Sequence, residues 1–138
     1  MAKDLYHNDV RIALEKEGWV ITHDPYRIFT EDTTFNVDLG AETLIGAEKQ
    51  GSKIAVEIKT FANLSFVHDF HEAVGQFFNY QVHLEDQEPD RHLFLAVSQV
   101  VYKNFFEKPT FRKSIQKLNA SILVFDPATH KIIAWIKP

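Results

Sequence analysis

Asp38, Glu57 and Lys59 are the residues whose types and spacing could do chemistry. Eighteen residues separate Asp38 from Glu57 and one separates Glu57 from Lys59, giving the pattern D-x18-E-x-K. Two carboxylates brought together can hold a divalent ion. An ammonium beside them can orient or help deprotonate an attacking water while offsetting charge that develops on phosphate. That is the equipment of metal-assisted phosphodiester hydrolysis. The same residues also fit an edge-strand salt pair with a separate turn aspartate.

Their placement depends on the stretch IAVEIKTF, residues 54–61. Side chains alternate across a strand, so Ile54, Val56 and Ile58 line one face while Lys53, Ala55, Glu57 and Lys59 line the other. The charged face is then either a wet surface or the floor of a site. LIGAEKQGSKIAVEIK reads as a hairpin turning at Gln50-Gly51-Ser52, and FNVDLG reads as a short strand ending at Gly40, so that Asp38 closes a strand. Before them, Asp4 is positioned to cap a helix over residues 5–17, stopped by Gly18, and WVITHDPYRIF is extended with a break near Pro25.

From Phe66 to about Glu85, apolar residues recur every three or four positions, as in an amphipathic helix packed on a sheet. A neighbouring stripe carries Asp69, Glu72, Gln76, Tyr80 and His83. Gln76 and Tyr80, four apart, share a face and can reach one target together. HLFLAVS is a central strand covered on both sides. Two short helical pieces split by Pro109, the second capped by Thr110, precede the strands SILVF and KIIAWI. The order α-β-β-β-α-β, followed by a helix and two strands, predicts a mixed sheet flanked by helices, of the α/β or α+β class.

The 138 residues, 45% hydrophobic, suit a single domain over 1–138. There is no cysteine, which excludes disulfides and thiolate zinc sites. Any metal must be held by oxygen or imidazole, favouring magnesium or manganese. No apolar run approaches the roughly 20 residues that cross a bilayer, and MAKDLYHNDV lacks the marks of a signal peptide, so a cytoplasmic protein without a membrane partner is expected. The net charge of −4 argues against a chain that coats nucleic acid, yet Lys103, Lys108, Arg112, Lys113 and Lys117 face only Glu107 in their segment. That local +4 is either a solvated helical face or a patch directed at phosphate.

Other residues admit a bland and a chemical reading. His68 and His71 are three apart on a helix, a spacing open to a metal ion or to two surface imidazoles. His7 and Asp9 read as capping or surface groups. Glu48 could approach Glu57 from across the hairpin. Gly75 would let the helix lie close to the sheet. Phe77-Phe78 and the NFF at 104–106 read as core or interface aromatics, with base stacking as the alternative.

The combination of Asp38, Glu57-Ile58-Lys59 and Gln76-Phe77-Phe78-Asn79-Tyr80 resembles the PD-(D/E)XK nuclease superfamily, including the Q-x-x-x-Y subset of RecB-type and lambda-exonuclease-type nucleases. A closer resemblance is to the XisH family, the fdxN element excision controlling factors of cyanobacteria. DLYHNDVRIALEKEGWVITHDPY, VDLGAETLIGAEKQGSKIAVEIKTF, DFHEAVGQFFNY, EPDRHLFLAV and LVFDPATHKIIAWI carry it across nearly the whole chain. The resemblance implies a restriction-endonuclease-like fold and a role in site-specific excision of a DNA element, beside a separate recombinase and a XisI-like partner.

Carried over residue by residue, the superfamily motif puts metal binding on Asp38, Glu57 and the carbonyl of Ile58, and catalysis on Asp38, Glu57 and Lys59. Gln76 and Tyr80 would support the site or hold DNA, as Lys103, Arg112 and Lys113 could from the basic segment. Val37 stands where the motif has proline. Members with a further acidic ligand on the first helix would find it here in Asp9 or Glu15. A non-catalytic regulator that keeps the fold is the alternative, and homo-oligomerisation is left open.

Overall fold

The structure is a computed structural model that describes residues 5–32, 34, 35 and 43–138. Helix α1 (His7–Lys16) is followed by β1 (Val20–His23), β2 (Ile28–Phe29), β3 (Thr34–Phe35), β4 (Thr43–Lys49) and β5 (Ser52–Ile58). Then come α2 (Phe66–Gln87), β6 (Arg91–Ser98), a short α3 (Gln99–Val101) that runs into a π-helical turn at Tyr102–Phe106, α4 (Pro109–Leu118), β7 (Ser121–Asp126) and β8 (Lys131–Ile136). Among the described residues six strands form one sheet in the order β1-β4-β5-β6-β7-β8. The pairs β5/β6 and β6/β7 are parallel and the others antiparallel. Within this sheet the described elements follow an α-β-β-β-α-β order, as α1, β1, β4, β5, α2 and β6; β2 and β3 pair separately as a two-stranded ribbon, and the expected FNVDLG strand beyond Phe35 lies outside the described residues.

The sheet is sandwiched. Val10 and Leu14 of α1 pack on Ile45, Val56, Phe94 and Leu123 on one face. On the other, Phe70, Phe77 and Tyr80 of α2 pack with Leu44, Ala55 and Leu95. Alternate residues of β5 thus enter different cores, as the alternation requires. The hairpin between β4 and β5 turns on two residues, Gln50 and Gly51, whose φ of 49° and 85° give the doubly left-handed turn that matches strand twist. Glycine tolerates that φ at no steric cost.

Several local expectations shift. The N-cap of α1 is Tyr6, whereas Asp4 lies outside the described residues. Pro109 parts the two helical pieces, as expected, by opening the second. It occupies the first turn of α4, where its missing N–H costs nothing, and Lys108 rather than Thr110 is the cap residue. His7 is buried, its Nε2 2.8 Å from Asp24 Oδ2, which also accepts from Arg11 at 2.6 Å. Gly75 points outward with open space around it, because its phase on α2 is that of Phe78 and Val82 rather than of Phe77. Of that Phe77-Phe78 pair, only Phe77 is core.

A buried arginine ties the far end of α2 to the sheet. Arg91 donates from Nη1 to the Ile54 carbonyl at 2.8 Å and from Nε to Glu88 Oε1 at 2.8 Å. The Tyr26 hydroxyl also donates to Glu88. The Arg91 hydrogen bonds, aided by Tyr26, outweigh the opposing effect of burial and hold the Glu88 carboxyl down to about 2. A depressed carboxyl stabilises the fold above its unfolded value and loses that contribution as pH falls through the folded one. Urea unfolding should therefore show stability declining from about pH 4.5 toward pH 2, and Glu88→Gln should flatten the profile in that window while lowering stability at neutral pH.

Candidate functional site

Glu57 and Lys59 lie on the face of the sheet that α2 covers, and both are nearly dry, at 0% and 5% exposure. In the ladder Glu57 stands between Leu44 of β4 and Leu95 of β6. The charged face of β5 is therefore a covered floor. Lys59 follows the last residue of the strand, and its backbone N–H donates to the Ala96 carbonyl at 3.2 Å, which keeps its side chain in phase with Glu57.

The Lys59 ammonium donates to Glu72 Oε1 of α2 at 2.9 Å. Glu72 is half-exposed and its second oxygen lies 3.9 Å from His68 Nε2. A lysine this buried needs a carboxylate nearby to offset lost hydration. Glu72 supplies it, a role that no local feature of the sequence assigns. The available signal was its place on the stripe with Gln76 and Tyr80.

The local chain fixes where that stripe falls. Ser65 caps α2 by accepting from the His68 N–H at 3.2 Å. The buried Asp69 accepts from the backbone N–H and side-chain amide of Asn63, at 3.2 and 2.7 Å, and so ties the β5–α2 connection to the first turn of the helix. Tyr80, one turn beyond Gln76, is buried within the core on this face, and Gln76 is partly buried. Glu72, Gln76 and Tyr80 follow one another at four-residue spacing on the same side of α2.

Other expected participants are elsewhere. Asp38 lies outside the described residues. Helix α1 packs on the opposite face of the sheet; Asp9 Oδ1 is 2.8 Å from His130 Nε2, and Glu15 is exposed to solvent. Glu48 is opposite Lys53 in the hairpin, four residues toward the turn from Leu44 and about 13 Å along the strand from Glu57's neighbour. Its carboxylate instead approaches Arg91 at 3.6 Å. His68 and His71 are exposed, and no group of three or more His, Asp or Glu converges among the described residues.

The basic segment stands beside the exit of β5. Phe66 stacks on Phe105 with centroids 3.9 Å apart and meets Phe111 at 4.9 Å, while Phe61 packs on both Phe66 and Phe106. These rings join the chain just past Lys59 to the turn before α4 and to α4 itself, and account for the NFF residues as packing. Lys103, Arg112 and Lys113 are exposed on this unit, with Arg112 donating to the Glu107 carbonyl at 2.7 Å. Among the described residues, none of these three cations is in an ion pair with a carboxylate.

The XisH protein family model matches residues 1–133. An XisH family protein from Nostoc punctiforme PCC 73102, known from its crystal structure, is 39% identical, with a TM-score of 0.90 over 97% of this chain and all of that one. The crystal structure of an fdxN element excision controlling factor protein from Anabaena variabilis is 40% identical, with a TM-score of 0.90 over 98% of this chain and all of the other. No curated protein matches the chain. Among the described residues no helix is long and apolar enough to cross a membrane.

The Lys59–Glu72 contact has a thermodynamic signature. Glu72→Gln should cost about 1–2 kcal/mol in the native sequence and markedly less in a Lys59→Met background, because the pair's coupling appears only when both partners are present. Urea unfolding of the two single variants and the double variant measures it.

Proposed function

Because the chain belongs to the XisH family, we propose that it controls excision of a DNA element, the role named for the Anabaena variabilis protein, and that it does so through metal-dependent phosphodiester hydrolysis on a restriction-endonuclease-like fold. One observation carries the hydrolytic part. The acidic Glu57 of β5 and the basic Lys59 just past the strand's end occupy successive inward positions, at 0% and 5% exposure, where hydrocarbon would stabilise the fold as well or better. Charges kept in so dry a place are best accounted for by chemistry.

The donor chemistry suits a hard cation. Among the described residues the Glu57 carboxylate and the Ile58 carbonyl offer oxygen ligands next to each other, and neither thiolate nor imidazole competes for a softer metal. Asp38 would supply the second carboxylate. Asp38, Glu57 and Ile58 would thus hold magnesium or manganese, which when bound supplies positive charge against the scissile phosphate. Lys59, on passing from Glu72 to the substrate, orients the attacking water and offsets charge on the phosphate. Gln76 and Tyr80 support these groups from α2. Lys103, Arg112 and Lys113, beside the exit of β5, would neutralise the DNA backbone.

A second reading has its own observation. Lys59 is already engaged by Glu72, and the outer face of α2 exposes Val67, Phe78 and Val82. A non-catalytic regulator that retains the nuclease fold and docks a XisI-like partner would present such a face. The readings separate on purified protein. Under the first, magnesium or manganese confers cleavage on a DNA substrate and Lys59→Ala abolishes it with the circular dichroism spectrum unchanged. A broad panel of DNA forms left uncut, with and without partner, favours the second. Manganese should also raise the melting temperature of the native chain and not of Glu57→Gln, since a ligand that binds only the folded state stabilises it.

A further inference from the structure

At the other end of β5 from Lys59, and on the face that α1 covers, an open cleft of about 450 Å³ has a wall of aromatic rings. Trp19 and Trp135 lie with centroids 5.8 Å apart, Phe94 meets Trp135 edge-on at 4.9 Å, and His92 lies against Phe94 at 4.7 Å. Both tryptophans are only partly buried. They reach this cleft from opposite ends of the chain, one entering β1 and the other on β8.

Cations border the wall. The Lys49 ammonium is 6.0 Å from the Trp19 ring centroid, and Lys137 also lines the cleft. Partial burial, reinforced by the Lys137 charge, pushes His92 below the ordinary imidazole range, so it contributes an uncharged ring whose Nε2 is 2.7 Å from Ser121 Oγ. The nearby acids are engaged. Glu17 accepts from the Trp135 indole N–H at 3.2 Å, and Asp90 lies 3.5 Å from Lys53.

We propose that this cleft binds a nucleobase and its phosphate, the flat ring stacking on the tryptophan wall and the phosphate taken by Lys49 and Lys137. Ring faces accept any base, and ammonium groups beside them supply the positive charge that a phosphate joined to that base needs. The ligand is either a free nucleotide or a single strand laid across the cleft. The site is separate from Glu57 and Lys59 in face and in strand end, so it stands whether or not the chain cleaves DNA.

The chain has only two tryptophans, both in this cleft, so tryptophan emission excited at its red edge, where tyrosine does not absorb, reports on it alone. In EDTA, adenosine monophosphate and a thymidine oligonucleotide of about eight nucleotides are titrated separately, with inorganic phosphate as a third arm. A saturable change in tryptophan emission is expected, weakened about tenfold in Lys49→Glu/Lys137→Glu and by added salt. Tighter binding of the oligonucleotide identifies a single strand as the ligand, and equal binding identifies a free nucleotide. No saturable change with either up to millimolar concentration, or a response unaltered in the folded charge variant or reproduced by phosphate alone, overturns the proposal.

Discussion

Burial of β5 on both faces is the constraint from which the rest of the architecture follows. With β4 on one edge and β6 on the other, its backbone is fully paired, and its side chains must divide between two cores. Ile54, Val56 and Ile58 satisfy the α1 face with hydrocarbon. The α2 face receives Ala55 and then Glu57, with Lys59 just beyond. A strand that puts ionisable groups into a dry interface needs a helix able to answer them. Helix α2 does so with Glu72, while Phe70, Phe77 and Tyr80 of the same helix supply the packing. The site and the core on that side are thus one construction.

Regularity at the two ends of α2 protects this arrangement. At its start, Ser65 and Asp69 fix the first turn and the loop leading into it. At its end, Glu88 meets Arg91, which reaches back to the Ile54 carbonyl near the beginning of β5. The helix is pinned near both termini of the strand whose charges it covers, so Glu72 has little freedom to drift from Lys59. The phenylalanine cluster around Phe66 extends the same rigidity to α4 and its exposed cations.

Much of this was legible in the sequence where periodicity is strong. The alternation in IAVEIK gave the correct division of β5, Gln50-Gly51 gave the hairpin, and the three-to-four spacing of apolar residues gave α2 almost to its end. Element ends were less legible because they depend on tertiary partners. His7 reads as a surface group by position, yet Asp24, which Arg11 also holds, draws it inside. Glycine at 75 carries no sign of which way it faces, and only the helix phase set by Phe77 and Tyr80 turns it outward. Glu72 was visible as a member of the polar stripe, but its partner was not, since contact between a strand end and a helix 13 positions later is decided by how the two pack. The open question of Glu48 is settled by a related cause: the register of the hairpin sends it to Arg91. The cleft between Trp19 and Trp135 has no local signature at all, because its walls come from both ends of the chain.

The central claim is that Glu57 and its neighbours hold a divalent cation beside Lys59. Crystals of the protein soaked in manganese and measured at the metal's absorption edge test it most directly. An anomalous peak within coordination distance of a Glu57 carboxylate oxygen and the Ile58 carbonyl is the expected result. A well-ordered Glu57 with no peak beside it, in crystals where manganese has bound at other sites, would contradict the account.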